Sequence, residues 1–234
     1  MFYNRRSRNS VVAMTCRRVV SMSLSDILRE IQDELVKKDQ AHQDVQTAMR
    51  KATRLSKQAI FMVHKDKLSE AKNTLAEAEK IFAKLDQLSL SYPDLSHTGS
   101  VDAALQEYTE AQVLLALVDK GCFIGFRDVN VRMTSYVLGL ADVVGELRRR
   151  VLDLLRKGNV KEAEMCLEFM ETIYAELTNV DEVHFLIPGL RRKCDTARHV
   201  VEATRSDVTG EVRRGALESS IRELKNTIEA KRKE

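Results

Sequence analysis

Apolar residues recur at helical spacing from about Leu24 to about Lys65: Ile27, Leu28, Ile31 and Leu35, then Val45, Met49, Ala52, Leu55, Ile60 and Val63. No Gly or Pro interrupts this run, which predicts one long helix or two collinear ones. A second helix is predicted over 67–88, on Leu68, Ala71, Leu75, Ala78, Ile81, Phe82 and Leu85, and Ser91-Tyr92-Pro93-Asp94 stops it. A third over 101–118 ends near Lys120-Gly121. Residues 122–133 form a connector with some β-like character, from which no sheet is built. Thr134 is expected to cap a fourth helix running to Arg156, and Lys157-Gly158-Asn159 closes it. A fifth covers 160–178, and a sixth 188–207 with Pro188 in its first turn. After Gly210, a last amphipathic stretch with Val212, Leu217, Ile221, Leu224 and Ile228 is placed to dock on the bundle, to pair with another subunit, or to fray.

The expected fold is therefore all-α, a single-domain bundle of six or seven long helices over 23–209, preceded by a basic segment at 1–22 and followed by the amphipathic helix at 210–234. Composition agrees. A chain of 234 residues that is 44% hydrophobic can bury a substantial core, and only 9 Gly and 2 Pro punctuate it. Long helices with few partners inside one chain favour oligomerisation.

Charge changes the picture at the N-terminus. Residues 1–22 hold Arg5, Arg6, Arg8, Arg17 and Arg18 with no acid, and removing those five charges takes the net charge from +3 to −2. Any nucleic-acid surface must then come from local clustering. The segment reads as a phosphate-binding arm, a targeting sequence or upstream sequence. Disorder without essential function is the expectation, because Met22-Ser23-Leu24-Ser25-Asp26 looks like a fresh start with Ser23 or Ser25 as helix cap. VVAMTC is too short and too flanked by Arg to span a membrane. Cys16, Cys122, Cys166 and Cys194 are far apart without a CxxC pair, which argues against zinc and disulfides and for a reduced, cytoplasmic protein.

The candidate chemistry lies in four carboxylates set in apolar helical stretches: Glu107 and Glu110 in LQEYTEAQVLLALV, and Asp142 and Glu146 in SYVLGLADVVGEL. Spacings of three and four put each pair on one face of its helix, so two packed helices can aim all four at one point. A buried carboxylate such as Asp142 needs a cation, a donor or a metal. The blander arrangement pairs Asp142 with a basic residue elsewhere and Glu146 with Arg149 or Arg150. Glu-x-x-His, which a di-iron bundle would supply twice, is absent; the nearest strings, Asp39 to His42 and Asp181 to His184, use the shorter acid. No nucleophile elbow or Gly-rich phosphate loop appears either.

Basic residues form three clusters. Arg50, Arg54 and Lys57 step by four and three along the first helix, continued by His64 and Lys65, with Lys51 alongside. Such a stripe suits a phosphate backbone, and equally a solvated helix face. Arg148, Arg149 and Arg150 follow Glu146, and Arg191, Arg192 and Lys193 form a third patch. Aromatic content of 5% with no Trp is thin for reading bases mainly by stacking.

Two of these segments carry a resemblance. QEYTEA at Gln106 to Ala111 and YVLGLADVVGEL at Tyr136 to Leu147 resemble the translin superfamily, and the branch of translin-associated factor X more than translin itself. ATRLSKQAIFMVHK and PGLRRKCDTARHVVEATRSDV extend the likeness more loosely from about Leu24 to about Asp207. The resemblance implies Mg²⁺- or Mn²⁺-dependent hydrolysis of RNA phosphodiesters, with Glu107, Glu110 and Asp142 as catalytic acids and all four acids, Glu146 included, around the metal. Oxygen-ligand chemistry would then let a bound water act as nucleophile. It also implies RNA or single-stranded DNA as partner, hollow shell-like oligomers with acidic sites facing inward, and mixed oligomers with a translin-like subunit. Arg50, Arg54, Lys57, His64, Lys65, Arg148 and Arg149 are the expected nucleic-acid contacts. Gly139 and Gly145 are expected to let helices approach beside the site. The alternative is a translin-type protein that binds nucleic acid and cuts nothing.

Overall fold

The computed structural model describes residues 23–180 and 185–231. The basic segment 1–22 and the Asp181 to His184 string lie outside the described residues. Seven α-helices, with no strand among the described residues, run in the order α1 (Leu24–His64), α2 (Leu68–Ser89), α3 (Gly99–Lys120), α4 (Phe126–Val129), α5 (Met133–Arg156), α6 (Val160–Asn179) and α7 (Leu190–Lys231), with a 3₁₀ turn at Pro93–His97 between α2 and α3.

The chain divides into two compact units at Gln40/Ala41, inside α1. In the first unit the helix starts on a reciprocal cap. The Asp26 amide donates to the Ser23 hydroxyl at 3.2 Å, and the Ser23 amide donates back to the Asp26 carboxylate at 3.3 Å. Its apolar residues Leu24, Ile27, Leu28, Ile31 and Leu35 are all exposed.

In the second unit the rest of α1 buries Val45, Met49, Ala52, Leu55, Ile60 and Val63, the stripe expected from the periodicity, and Ala59 with them. Asp66, at φ 57, turns the chain into α2. α3 is buried nearly all round, from Val101 through Leu105 and Thr109 to Leu114 and Leu117, and Gly121, at φ 65, ends it in the left-handed conformation. α5 is the centre of the bundle: it packs on α3, α6 and α7 through Val143, Val144, Leu147 and Val151.

Four local expectations are corrected. The connector after Gly121 contains the short helix α4, anchored where the Tyr136 hydroxyl donates to the Ile124 carbonyl at 2.5 Å. α5 begins at Met133 with Arg132, not Thr134, at its cap position. Pro188 precedes α7 and lies outside its first turn. Finally, Gly210 does not break the chain. Helical residues continue through Gly210 and Gly215 to Lys231, and beyond Val208, the last buried residue of α7, Leu217, Ile221, Leu224 and Ile228 are exposed. With i→i−4 bonds unbroken on either side, a helix tolerates one glycine at a cost of about 1 kcal/mol.

Candidate functional site

α3 and α5 lie in close contact at Gly139. A Cβ there would lie 2.6 Å from the Gln106 carbonyl oxygen and 2.7 Å from the Thr109 Cβ, so only glycine fits. That contact sits beside Glu107 and Glu110 on α3 and one turn before Asp142 on α5. Gly145 does not share the role: nothing lies within 4 Å of where its Cβ would be. One of the two glycines expected to permit close packing does so.

The four acids gather around Glu110. Burial raises the Glu110 carboxyl, and the charges of Asp142, Glu107 and Glu146 raise it further, to about 8, while Lys193 pulls it down. A carboxyl pushed up by three others reports their fields converging on one place. Glu107, Glu110 and Glu146 line an open cleft of about 370 Å³ together with Lys57, Ile60, Phe61 and Arg149. Asp142 lines the neighbouring pocket between α5 and α7, with Arg192 and Lys193.

Three of the four carboxylates carry a basic partner. The Lys57 ammonium lies 3.2 Å from Glu107, and Lys193 bonds Asp142. His64 Nε2 meets Glu146 Oε2 at 2.6 Å, with Arg149 at 3.7 Å from the same oxygen. The His64 hydrogen bond, opposed by burial and helped by the charges of His64 and Arg149, holds the Glu146 carboxyl below its usual range. The buried Nδ1 on the other side of the ring has no hydrogen-bond partner among the described residues. Glu110 alone makes no ion pair among the described residues. Asp142 thus has a basic partner from elsewhere in the chain, Lys193, as the blander reading expects, whereas Glu146 is held chiefly by His64, which that reading did not name, with Arg149 farther off. Among the described residues no three Asp, Glu, His or Cys side chains converge tightly enough to hold a metal ion as they stand.

The donor set nonetheless suits a hard divalent cation: four carboxylates, no sulfur, and one acid whose ionisation its neighbours oppose. Lys57 and Lys193 neutralise Glu107 and Asp142 instead, both on flexible four-carbon stems.

The basic residues divide. Arg50, Arg54, Lys57 and Lys65 are exposed along one stripe of α1, with Lys51 exposed beside them. His64 is not part of it. Its side chain is only 3% exposed and is spent on Glu146, which corrects its assignment to nucleic acid. The three consecutive arginines of α5 point three ways, as 100° per residue requires. Arg149 faces the cleft; Arg148 lies 2.6 Å from Asp207 of α7; Arg150 reaches Asp66 at 3.0 Å and the Val63 carbonyl, bracing the α1–α2 turn. Arg148 is therefore a strut, and its assignment to nucleic acid is corrected too. Arg191 and Arg192 stay on the surface, while Lys193 turns to the acids.

A family model, that of the translin family, matches residues 40–204. The chain belongs to the translin family. An uncharacterised protein of Methanocaldococcus jannaschii is 33% identical over 185 residues, 78% of this chain and 82% of its own length. The translin-associated protein X homolog of Schizosaccharomyces pombe is 23% identical over 203 residues, 81% of this chain and 84% of its own. Among solved structures, AfC3PO in complex with duplex RNA superposes with a TM-score of 0.72 at 31% identity, covering 79% of this chain and 95% of that one. Crystalline AfC3PO gives 0.73 at 32% identity, covering 79% and 96%. The expected all-α translin fold is thus the observed one, and the family places it with a Trax-like resemblance.

The sequence missed two members of the site. Phe61 lines the acid cleft although it was not singled out within ATRLSKQAIFMVHK, and its four-residue step from Lys57 and to Lys65 was the available signal. Lys193 had been grouped with its neighbours by composition alone.

Proposed function

We propose that this chain binds RNA and cleaves its phosphodiesters at the cleft of Glu107, Glu110, Asp142 and Glu146 with the help of Mg²⁺ or Mn²⁺. The observation that carries the reading is the convergence of acids from α3 and α5 on Glu110, in a cleft flanked by Lys57 and Arg149. The similar AfC3PO was solved with duplex RNA, which supports RNA as the ligand class.

Glu107, Glu110, Asp142 and Glu146 would hold the ion once Lys57 and Lys193 swing aside. Bound there, such an ion would supply positive charge against the charge that builds on the phosphate oxygens and would make a water more acidic. His64 orients Glu146 through its Nε2 hydrogen bond, a supporting contact of the kind that fixes a ligand's direction. Arg149 and the freed Lys57 grip non-bridging phosphate oxygens, while Arg50 and Arg54 extend the track along α1. The exposed Leu217, Ile221, Leu224 and Ile228 of α7 support assembly of this protein into oligomers.

A second reading is favoured by one observation: three of the four acids already have basic partners. It is binding without cleavage. The deciding experiment follows a labelled single strand with Mn²⁺, with Mg²⁺ and with EDTA, on the wild type and on Glu110→Gln/Asp142→Asn. Cleavage that needs the ion and disappears in the double variant supports the nuclease. Binding that persists in EDTA, with no cleavage under either ion, selects the binder.

A further inference from the structure

Cations and carboxylates explain how a phosphate is held, yet none of them can address a base. One side chain in the cleft has the chemistry to do so. Phe61 is 52% exposed, whereas the other apolar residues of α1 between Ala41 and Val63 are buried or half-buried. It occupies the stripe Arg50, Arg54, Lys57, Phe61, Lys65, at steps of four, three, four and four, with each member exposed while Met49, Ala52, Ala59 and Val63 face the core. The ring stands where the stripe meets the acids, lining the cleft with Glu107, Glu110, Glu146 and Arg149. The Lys65 ammonium lies 5.6 Å from its centroid. Among the described residues Phe61 is the one aromatic side chain lining this cleft.

We propose that the Phe61 ring is a stacking platform for an unpaired base next to the phosphate held at the acid cleft. The inference rests on the RNA reading above and deepens it by naming the side chain that takes a base of the bound strand. Bases inside a duplex have their faces covered by neighbouring pairs, so a ring on a helix wall cannot reach them. Stacking on a phenyl face tolerates any base, so the selection is for strand state and not for sequence. The cations on either side at Lys57 and Lys65 keep the flanking phosphates close enough for the base to turn onto the ring.

The test uses the full chain in EDTA, where nothing is cut, so that binding is read apart from catalysis. Fluorescence anisotropy with a single-stranded RNA carrying one fluorescent adenine analogue, over a salt series, compares wild type, Phe61→Leu and Phe61→Tyr, with light scattering to give the mass of each. Leu should weaken single-strand binding by about tenfold to a hundredfold, leave the salt slope and the mass unchanged, and abolish quenching of the analogue. Tyr should restore affinity and quenching, and affinity for a blunt duplex should be the same for all three. Equal affinity and quenching in the Leu variant would overturn the stacking role while leaving RNA binding intact. A changed mass in the Leu variant would overturn it in favour of a subunit contact. No binding by the wild type would remove the RNA reading itself, and this one with it.

Discussion

Two sides of α5 treat charge in opposite ways. Towards α7, two charges of α5 are answered: Asp142 takes Lys193, and Arg148 takes Asp207. Towards α3 and α1, Glu146 is supported by His64 and Arg149, but Glu110 lines the same cleft with no ion pair among the described residues and a carboxyl pushed up to about 8. An ordinary packed interface settles into the first pattern, because leaving a half-buried acid uncompensated costs free energy. The second pattern marks the place where the fold tolerates that cost. Sites built for a cation or a proton have this character.

The comparison breaks most sharply in catalysis. Glu110→Gln keeps the shape and removes one anionic oxygen, and under the nuclease reading cleavage in Mn²⁺ should fall by at least about a hundredfold, on the scale of removing one stabilising group from a reaction centre. Arg148→Ala, on the other side of the same helix, should leave the cleavage rate of the folded protein within about twofold. Equal losses in both variants would erase the distinction between the two sides.

Next comes the junction that brings α3 against α5. Gly139→Leu forces a side chain into the Gln106 carbonyl and Thr109, and should cost about 3 kcal/mol in urea unfolding. Gly145→Ala, with open space around it, should be neutral or stabilise by up to about 1 kcal/mol. A destabilised Gly145→Ala would show a contact that the structure does not contain.

A smaller effect follows from pH. The folded protein binds the Glu110 proton more tightly than the unfolded chain, since its carboxyl is raised from 4.5 to about 8. Its contribution to stability is complete below about pH 4.5 and is lost as pH rises through 8. Glu110→Gln, measured in EDTA, should therefore match the wild type near pH 5 and exceed it above pH 8 by on the order of 1 to 2 kcal/mol. A gap that does not grow with pH would mean that Glu110 is not held neutral by its neighbours. The least effect is expected at Arg149→Ala: stability unchanged within about 0.5 kcal/mol, with RNA affinity reduced and the salt slope shallower by roughly one contact.

Much of this molecule was legible along the chain. Helix positions follow from apolar spacing at three and four, a local relation that needs no knowledge of the partner, and α1, α2, α3, α5 and α6 lie where that spacing puts them. The acid pairs were legible for the same reason, since a spacing of three or four already places two carboxylates on one helix face. Which charge answers which is a different kind of fact. Lys57 finds Glu107, His64 finds Glu146 and Lys193 finds Asp142 across gaps of 50, 82 and 51 residues, and these meetings exist only once helices pack. Three adjacent arginines look like one basic cluster in a string of letters, and the helix sends them to a cleft, a strut and a turn. Periodicity is set by each residue's near neighbours, whereas partnership is set by how rigid helices lie against one another, and only the packed bundle contains that information.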